Sequence, residues 1–579
     1  MKRLFLLGVI VLFAIAASGR AMAADAFGAF TNGLPTAWVE GPTCDPYVDY
    51  NCSPSKAVMA LKSGVNGPCD PYVDYKCLDA YLGDNPAIRF LRYYQLEWGK
   101  GGAPADPSAP PGRRPDAVWP PTPQSSPPMP FTEWPYGGTQ NIGVTRPNSV
   151  DSPLMVAIAN TGIGKLMSDA HIQVYGWVEG GGNISSNKVK PGGNVPAAYD
   201  YTPNTIQLDQ AVIYVERLAD TVQNDHIDWG FRFSALYGVD YRYTTAYGLA
   251  SYQLLNHNLV NGYDFPMVYA DIYFPVMQGM DVRIGRFISI PDIEAQLAPN
   301  NYTYVHSMTY TFDNYTNTGI EVTTALTKNW ILQLGVTVGS DTMPWNIGQT
   351  VTNLLPGNPL YPGATIPKDP GAVPSATLGI RWTSDDGRDD LNVVGDALNG
   401  GQWGYNNLQW IGATYYHKIN DYWHIAFETW NIHENNVPNV SNPAVAAIIA
   451  GGGTPFGPNI MPFNAVNPAQ CGNTTALACR ADEQSFLLYV NYSPNKLNNF
   501  SIRTEWFDDH NGQRTGIATR YADVAFSWQH WFSPQIEVRP EIAYYKSLDA
   551  PAFNGNANAG IAPNRDYALI GAADLIVHF

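Results

Sequence analysis

From about Asp169 onward the sequence breaks into segments of roughly ten residues in which apolar and polar side chains alternate. Successive side chains of a strand point to opposite faces, so each segment has one apolar and one wet face. In 226–237, Ile227, Trp229, Phe231, Phe233, Ala235 and Tyr237 share a face, opposite Asp228, Gly230, Arg232 and Ser234. Trp330, Leu332, Leu334, Val336 and Val338 alternate with Gln333, Gly335, Thr337 and Gly339. Ala376, Leu378, Ile380 and Trp382 alternate with Thr377, Gly379, Arg381 and Thr383. Phe500, Ile502, Thr504 and Trp506 oppose Ser501, Arg503 and Glu505. A soluble sandwich alternates too, but aromatic residues near the strand ends of the apolar face favour a membrane.

Composition points the same way. Aromatic residues make up 13% of the chain, with 35 Tyr and 16 Trp, while charged residues make up only 14%. Tyr and Trp concentrate at membrane interfaces because each joins an apolar body to a polar tip. A formal net charge of −17, with only 33 Lys and Arg, excludes nucleic acid as a partner.

The first residues set the compartment. Lys2 and Arg3, the apolar run Leu4 to Ala17, and Ala21-Met22-Ala23 read as a signal peptide, residues 1–23, cut after Ala23. No later stretch approaches the ~20 apolar residues of a membrane helix, so a membrane location requires a closed barrel. Cys44 and Cys52, Cys69 and Cys77, and Cys471 and Cys479 are three pairs with identical spacing, read as local disulfides in an exported chain. Zinc and c-type haem are disfavoured, because Cys-x-x-Cys spacing is absent. No metal and no cofactor is expected.

Residues 24–100 read as a small domain clipped by disulfides around the repeat CDPYVDYNC (44–52) and CDPYVDYKC (69–77). A helix is expected around Lys56 to Lys62. A second should run from Pro86 to Trp98, with Asn85 as its cap. Residues 101–165, proline-rich to 135, form a semi-rigid linker and the approach to the barrel.

Residues 166–579 then form the expected barrel: all-β, antiparallel and transmembrane. Strands beginning near residues 170, 206, 226, 264, 280, 317, 329, 375, 390, 407, 421, 484, 498, 519, 535 and 567 number 16, within a range of 14–18. With these starts, short and long links alternate, as an outer-membrane barrel requires. Two choices are not forced by periodicity: 304–313, which looks strand-like, is placed in a loop, and the weak segment 390–397 is placed in a strand. The last strand carries Gly571, Ala573, Leu575, Val577 and Phe579 on one face. A terminal aromatic strand is similar to the signal read by the barrel assembly machinery.

The third long link, 291–316, is the segment that would narrow the lumen if it folds inward. Asp292 and Glu294 would then oppose wall arginines such as Arg232, Arg283 and Arg381, making a transverse field that sorts solutes. The bland reading leaves both acids in a solvated turn. Candidate pore-lining residues are Asp228, Arg232, Arg283, Asp292, Glu294, Arg381, Arg503 and Glu505.

PMVYADIYFP at 266–275 and GRFISIPDIEAQLAPNNYTYVHSMTYTFD at 285–313 resemble the β-barrel porins described as OmpL-like. The similarity continues through TGI (318–320), QLGVTVGSD (333–341), GYNNLQW (404–410) and TYYHKIND (414–421), and covers most of 165–579. It implies the fold, an outer-membrane location and a transport role, and it leaves the N-terminal repeat and the linker unassigned.

The expected function is a porin-like channel for passive diffusion of small polar solutes or ions, contacting outer-membrane lipid, with homo-oligomerisation open. The alternative is a tethering or surface-recognition barrel, using loop 434–483 or the N-terminal domain. An enzyme is not expected: His171, His226, His306, His417, His424 and His578 are scattered over different segments, and none sits in a nucleophile motif.

Overall fold

The computed structural model describes residues 75–99, 152–349, 369–450 and 468–579, apart from positions 198, 256, 291, 405, 406, 496 and 557–559. The signal sequence, the Lys56–Lys62 helix, the linker to residue 151 and the N-terminal clips, Cys77 excepted, lie outside these residues.

Every segment singled out for its alternation is a strand. The chain runs through β1 (Ile172–Ser185), β2 (Ile206–Arg217), β3 (Asp228–Gly238), β4 (Gly262–Asp264), β5 (Val268–Phe274), β6 (Met280–Ile288), β7 (Thr316–Ala325) and β8 (Trp330–Ser340). A small pair follows, β9 (Ile347–Gln349) and β10 (Asp369–Gly371). The wall resumes with β11 (Ser375–Thr383), β12 (Asp389–Leu398), β13 (Gln409–Lys418), β14 (Trp423–Pro438) and β15 (Ala478–Asn495). It ends with β16 (Asn498–Asp509), β17 (Thr519–Ser533), β18 (Ile536–Ser547) and β19 (Tyr567–His578).

Apart from β9 and β10, these form one antiparallel sheet that closes on itself, because β1 pairs with both β2 and β19. Both β4 and β5 pair with β3, so they are two parts of one spanning strand, and the cylinder has 16 staves. The strand breaks at Phe265-Pro266-Met267, where proline supplies no N–H to the ladder. Arg286 covers the break, donating to the Phe265 carbonyl at 2.7 Å and pairing with Asp264 at 3.0 Å.

At the seam, Trp177 lies opposite His578 and Ser185 opposite Ile570. The Phe579 amide donates to the Gly176 carbonyl at 2.8 Å. A Cβ on Gly176 would come within 2.7 Å of the Phe579 ring, so the closing aromatic seats where a side chain is missing.

The faces follow the alternation. Trp229, Val336, Ile380, Ile502 and Phe526 are exposed on the outer surface at 54, 64, 43, 45 and 48%. Their neighbours Arg232, Gln333, Arg381, Arg503 and Glu505 are buried on the inner face. Loop 304–313 contains a short helix and β12 covers 390–397, so both unforced choices agree with the structure.

Before the barrel lie α1 (Tyr75–Leu82), α2 (Pro86–Glu97), α3 (Pro153–Ile158) and α4 (Gly162–Asp169). As expected, Asn85 caps α2, its side chain accepting the Ala87 and Ile88 amides at 3.0 and 3.2 Å. The buried face of α2 is Arg89, Tyr93 and Glu97, spaced one turn apart. Arg89 donates to the Val156 carbonyl at 3.0 Å, and Trp98 stacks on Phe532 near the end of β17. Tyr94 donates to the His578 carbonyl, and the Gln535 side chain donates to Glu97. The helix therefore seats on the short-turn rim beside the closing strand.

Candidate functional site: an inward loop bonded to the far wall

The loop between β6 and β7 does not stand in solvent. Ile293, Tyr302, Tyr304, Val305, Met308 and Phe312 are at most 2% exposed. Several of the loop's backbone amides are satisfied by strands across the lumen. The Ile293 amide donates to Glu428 of β14 at 3.0 Å. The Val305 amide donates to Glu541 of β18 at 3.0 Å. A short helix, α5 (Met308–Thr311), starts at Ser307, whose hydroxyl accepts the Tyr310 amide at 3.0 Å. Glu505 of β16 accepts the Met308 amide at 2.9 Å and the Thr309 hydroxyl at 2.7 Å. Three wall carboxylates thus accept loop amides that folding inward would otherwise leave unpaired.

Two arginines complete the contact. Arg539 pairs with Glu179 at 3.1 Å, with Glu537 at 3.4 Å and with Asp574, and donates to the Ala298 carbonyl at 2.6 Å. Arg503 pairs with Asp523 at 2.9 Å and Glu541 at 3.8 Å, and donates to the Tyr545 hydroxyl and the Val305 carbonyl. Gln529 donates to the Asn301 carbonyl at 2.7 Å, Gln210 to that of Gln296 at 2.7 Å, and Tyr304 to Asp209 at 3.0 Å. The planar fork of arginine suits this work, since it serves a carboxylate and a carbonyl at once.

The expected opposition of Asp292 and Glu294 to Arg232, Arg283 and Arg381 is not what forms. Each of those arginines is paired within the wall: Arg232 with Glu216 at 2.6 Å, Arg283 with Asp271 at 2.9 Å and Arg381 with Asp390 at 2.7 Å. Neighbouring strands place these partners side by side, so wall acids reach them first. Glu294 instead accepts the Ser307 amide and hydroxyl at 3.0 and 2.9 Å and the Tyr489 hydroxyl. Asp292 meets Asp313 and Glu428, with carboxylate oxygens of all three within 4.8 Å of one another. Asp228 sits apart, at the short-turn end of β3, paired with Arg217 at 2.9 Å.

Burial dominates the electrostatics of the loop. It raises Asp292 and Asp313 well above the ordinary carboxylate range, with Asp313 and Glu428 respectively adding to the effect. Glu294 is also raised by burial, against the pull of Arg503. His306, its ring 3.6 Å from that of Tyr199, is held down to about 3 by burial and is neutral. The sequence reading singled out neither Arg539 nor Glu541. The alternation Glu537, Arg539, Glu541 in β18 was the available signal. Asp313 ends the strand-like segment 304–313, whose alternation does not reveal which carboxylates it meets.

A closed 16-stranded cylinder with an apolar outside, a charged inside and an inward third loop defines an outer-membrane porin. The chain belongs to the family described as "Putative beta-barrel porin-2, OmpL-like", which matches residues 171–579. It is a channel protein of the porin kind.

Among solved structures it is similar to an anion-selective porin from Comamonas acidovorans, at 9% identity and TM-score 0.40, covering 70% of this chain and 99% of that one. The outer membrane channel DcaP of Acinetobacter baumannii gives 9% and 0.40, covering 70% and 97%. A mutant of Rh. blastica porin gives 12% and 0.33, covering 70% and 100%. No curated protein matches the chain.

Proposed function

We propose that this porin passes small polar solutes and ions with a preference for cations, along the part of the wall away from the strands that hold the middle of the inward loop. One observation carries the charge preference: among the described residues, buried Asp and Glu heavily outnumber buried Arg, and no Lys is buried. A lumen of that sign raises the local concentration of cations and opposes anions. The path follows from the bonding. The middle of the loop is tied to β14–β18 and β2, whereas Arg283 and Arg381 pair with the wall carboxylates Asp271 and Asp390. Of the eight candidate residues, Arg283 and Arg381 belong to that path. Asp292, Glu294, Arg503 and Glu505 hold the loop, Arg232 stiffens the wall with Glu216, and Asp228 marks the inner rim.

Export by a signal peptide cleaved after Ala23, and insertion by the assembly machinery reading the β19 terminus, complete the proposal. So does solvation of the apolar belt by lipid, and the belt leaves homo-oligomerisation available. Planar-bilayer recording in a salt gradient tests the central claim. A reversal potential of cationic sign is expected, while an anionic sign or the absence of conductance overturns it.

A further inference from the structure

We propose that Asp292 and Asp313 of the inward loop and Glu428 of β14 bind a divalent cation of the calcium type, which pins both ends of the loop to the far wall. Three carboxylates with oxygens within 4.8 Å of one another, all buried, are held together although like charges repel. Both oxygens of Asp313, Oδ1 of Asp292 and Oε1 of Glu428 are buried without a hydrogen-bond partner. Uncompensated buried carboxylate oxygens are costly, and a cation is the group that satisfies several of them together.

A second observation points to the same place. The hydroxyls of Tyr310 and Tyr315 are also buried and without partners, and the two rings meet edge-on at 5.6 Å. After burial, the strongest influence on Tyr310 is Asp292, followed by Asp313; on Tyr315 it is Asp313. The two unpaired phenols are thus within the electrostatic reach of the carboxylates, and the cluster itself offers oxygen, not nitrogen or sulfur. Glu294, Asp341 and Glu428 add negative charge around Asp292 and Asp313, and Arg514 is the cation acting on Asp313. An all-oxygen set of this kind suits a hard cation, and its irregular geometry suits Ca²⁺ better than octahedral Mg²⁺. The placement gives the ion a role. Asp292 lies near the start of the loop and Asp313 near its end, while Glu428 also accepts the Ile293 amide at 3.0 Å. One ion would thus clamp the two stems of the loop against β14.

The test uses full-length protein in detergent, stripped with EDTA, and Tb³⁺ excited through tyrosine as the probe. One saturable luminescent component, displaced by Ca²⁺, is expected. Its affinity should fall at least tenfold in Asp313→Asn and Glu428→Gln, and stay unchanged in Asp549→Asn on an outer loop. No displaceable component, or equal affinity in the two site variants, overturns the proposal. If neither site variant folds, judged by heat-dependent gel mobility, the native chain decides. Ca²⁺ should then raise its thermal midpoint above that in EDTA by several degrees, and an unchanged midpoint overturns the proposal. These readouts do not depend on conduction, so their failure leaves the channel reading to its own test.

Discussion

The amide of Val305, at the tip of the inward loop, donates to Glu541 on the opposite wall at 3.0 Å, across 236 positions of sequence. That bond, with those at Glu505 and Glu428, makes the constriction part of the barrel's hydrogen-bonded framework. The loop's position then depends on a few wall carboxylates, and removing one should loosen it. In Glu505→Ala, the Met308 amide and Thr309 hydroxyl lose their acceptor. We expect a stability loss of about 1–3 kcal/mol and a larger, noisier single-channel conductance. Unaltered conductance traces would show that these bonds do not set the aperture.

Arg539→Met should be far more damaging. It strands Glu179, Glu537 and Asp574, all buried, without their shared cation. Breaking such a group typically costs about 3–5 kcal/mol, so thermal scans in detergent should show a large drop in midpoint. Arg539→Lys should recover little, because an ammonium cannot serve Asp574 and the Ala298 carbonyl in the geometry of the fork.

Acidity should act on the loop in a defined direction. Asp313 is raised by burial, so the folded state holds its proton more tightly than the unfolded chain does. Its favourable contribution is present below the ordinary carboxylate value of about 4 and is lost as pH rises through the raised folded value. In EDTA, Asp313→Asn should therefore be more stable than the native chain at pH about 8, with the advantage vanishing near pH about 4. His306, held down to about 3, behaves oppositely: its contribution is lost as pH falls below about 6.5. Denaturation across that range measures both, and a gain in Asp313→Asn that grows on acidification would contradict the assignment.

The outer face gives a simpler expectation. Ile502 is 45% exposed in the apolar belt. Ile502→Arg should destabilise insertion into lipid vesicles by about 2–4 kcal/mol if it sits near the bilayer midplane. A variant that inserts as well as the native barrel would argue against a lipid-facing belt.

Access to the proposed path can be read with thiol chemistry. Gln333→Cys, on the part of the wall away from the strands that hold the middle of the loop, should react with a small charged thiol reagent, and the reaction should reduce conductance. Gln529→Cys replaces a side chain bonded to the Asn301 carbonyl at 2.7 Å and should react slowly. Reversal of that order would move the path to the other side.

Much of the cylinder was legible because one face of each strand is wet and the other apolar, a pattern that burial writes directly into sequence. Loop lengths then settled 304–313 and 390–397, where periodicity alone was ambiguous. YVHSMTYTFD alternates as a strand would, but Ser307 caps a helical turn there. The break between β4 and β5 was not foreseen, although Pro266 was its visible cause. Least legible was the pairing inside the lumen. Whether Asp292 meets Arg232 or Glu428 depends on which staves face each other across the cylinder, and no local pattern encodes that. Adjacent-strand pairs such as Arg283–Asp271 could have been found from register alone.

Tyr94 of α2 reaches the His578 carbonyl, and His578 in turn lies opposite Trp177 in the first strand. The ledge on which this helix rests is complete only when the final strand has been stitched beside the first. Protection of residues 86–97 from protease or hydrogen exchange should therefore appear last during assembly, and would serve as a local reporter that the cylinder has zipped shut.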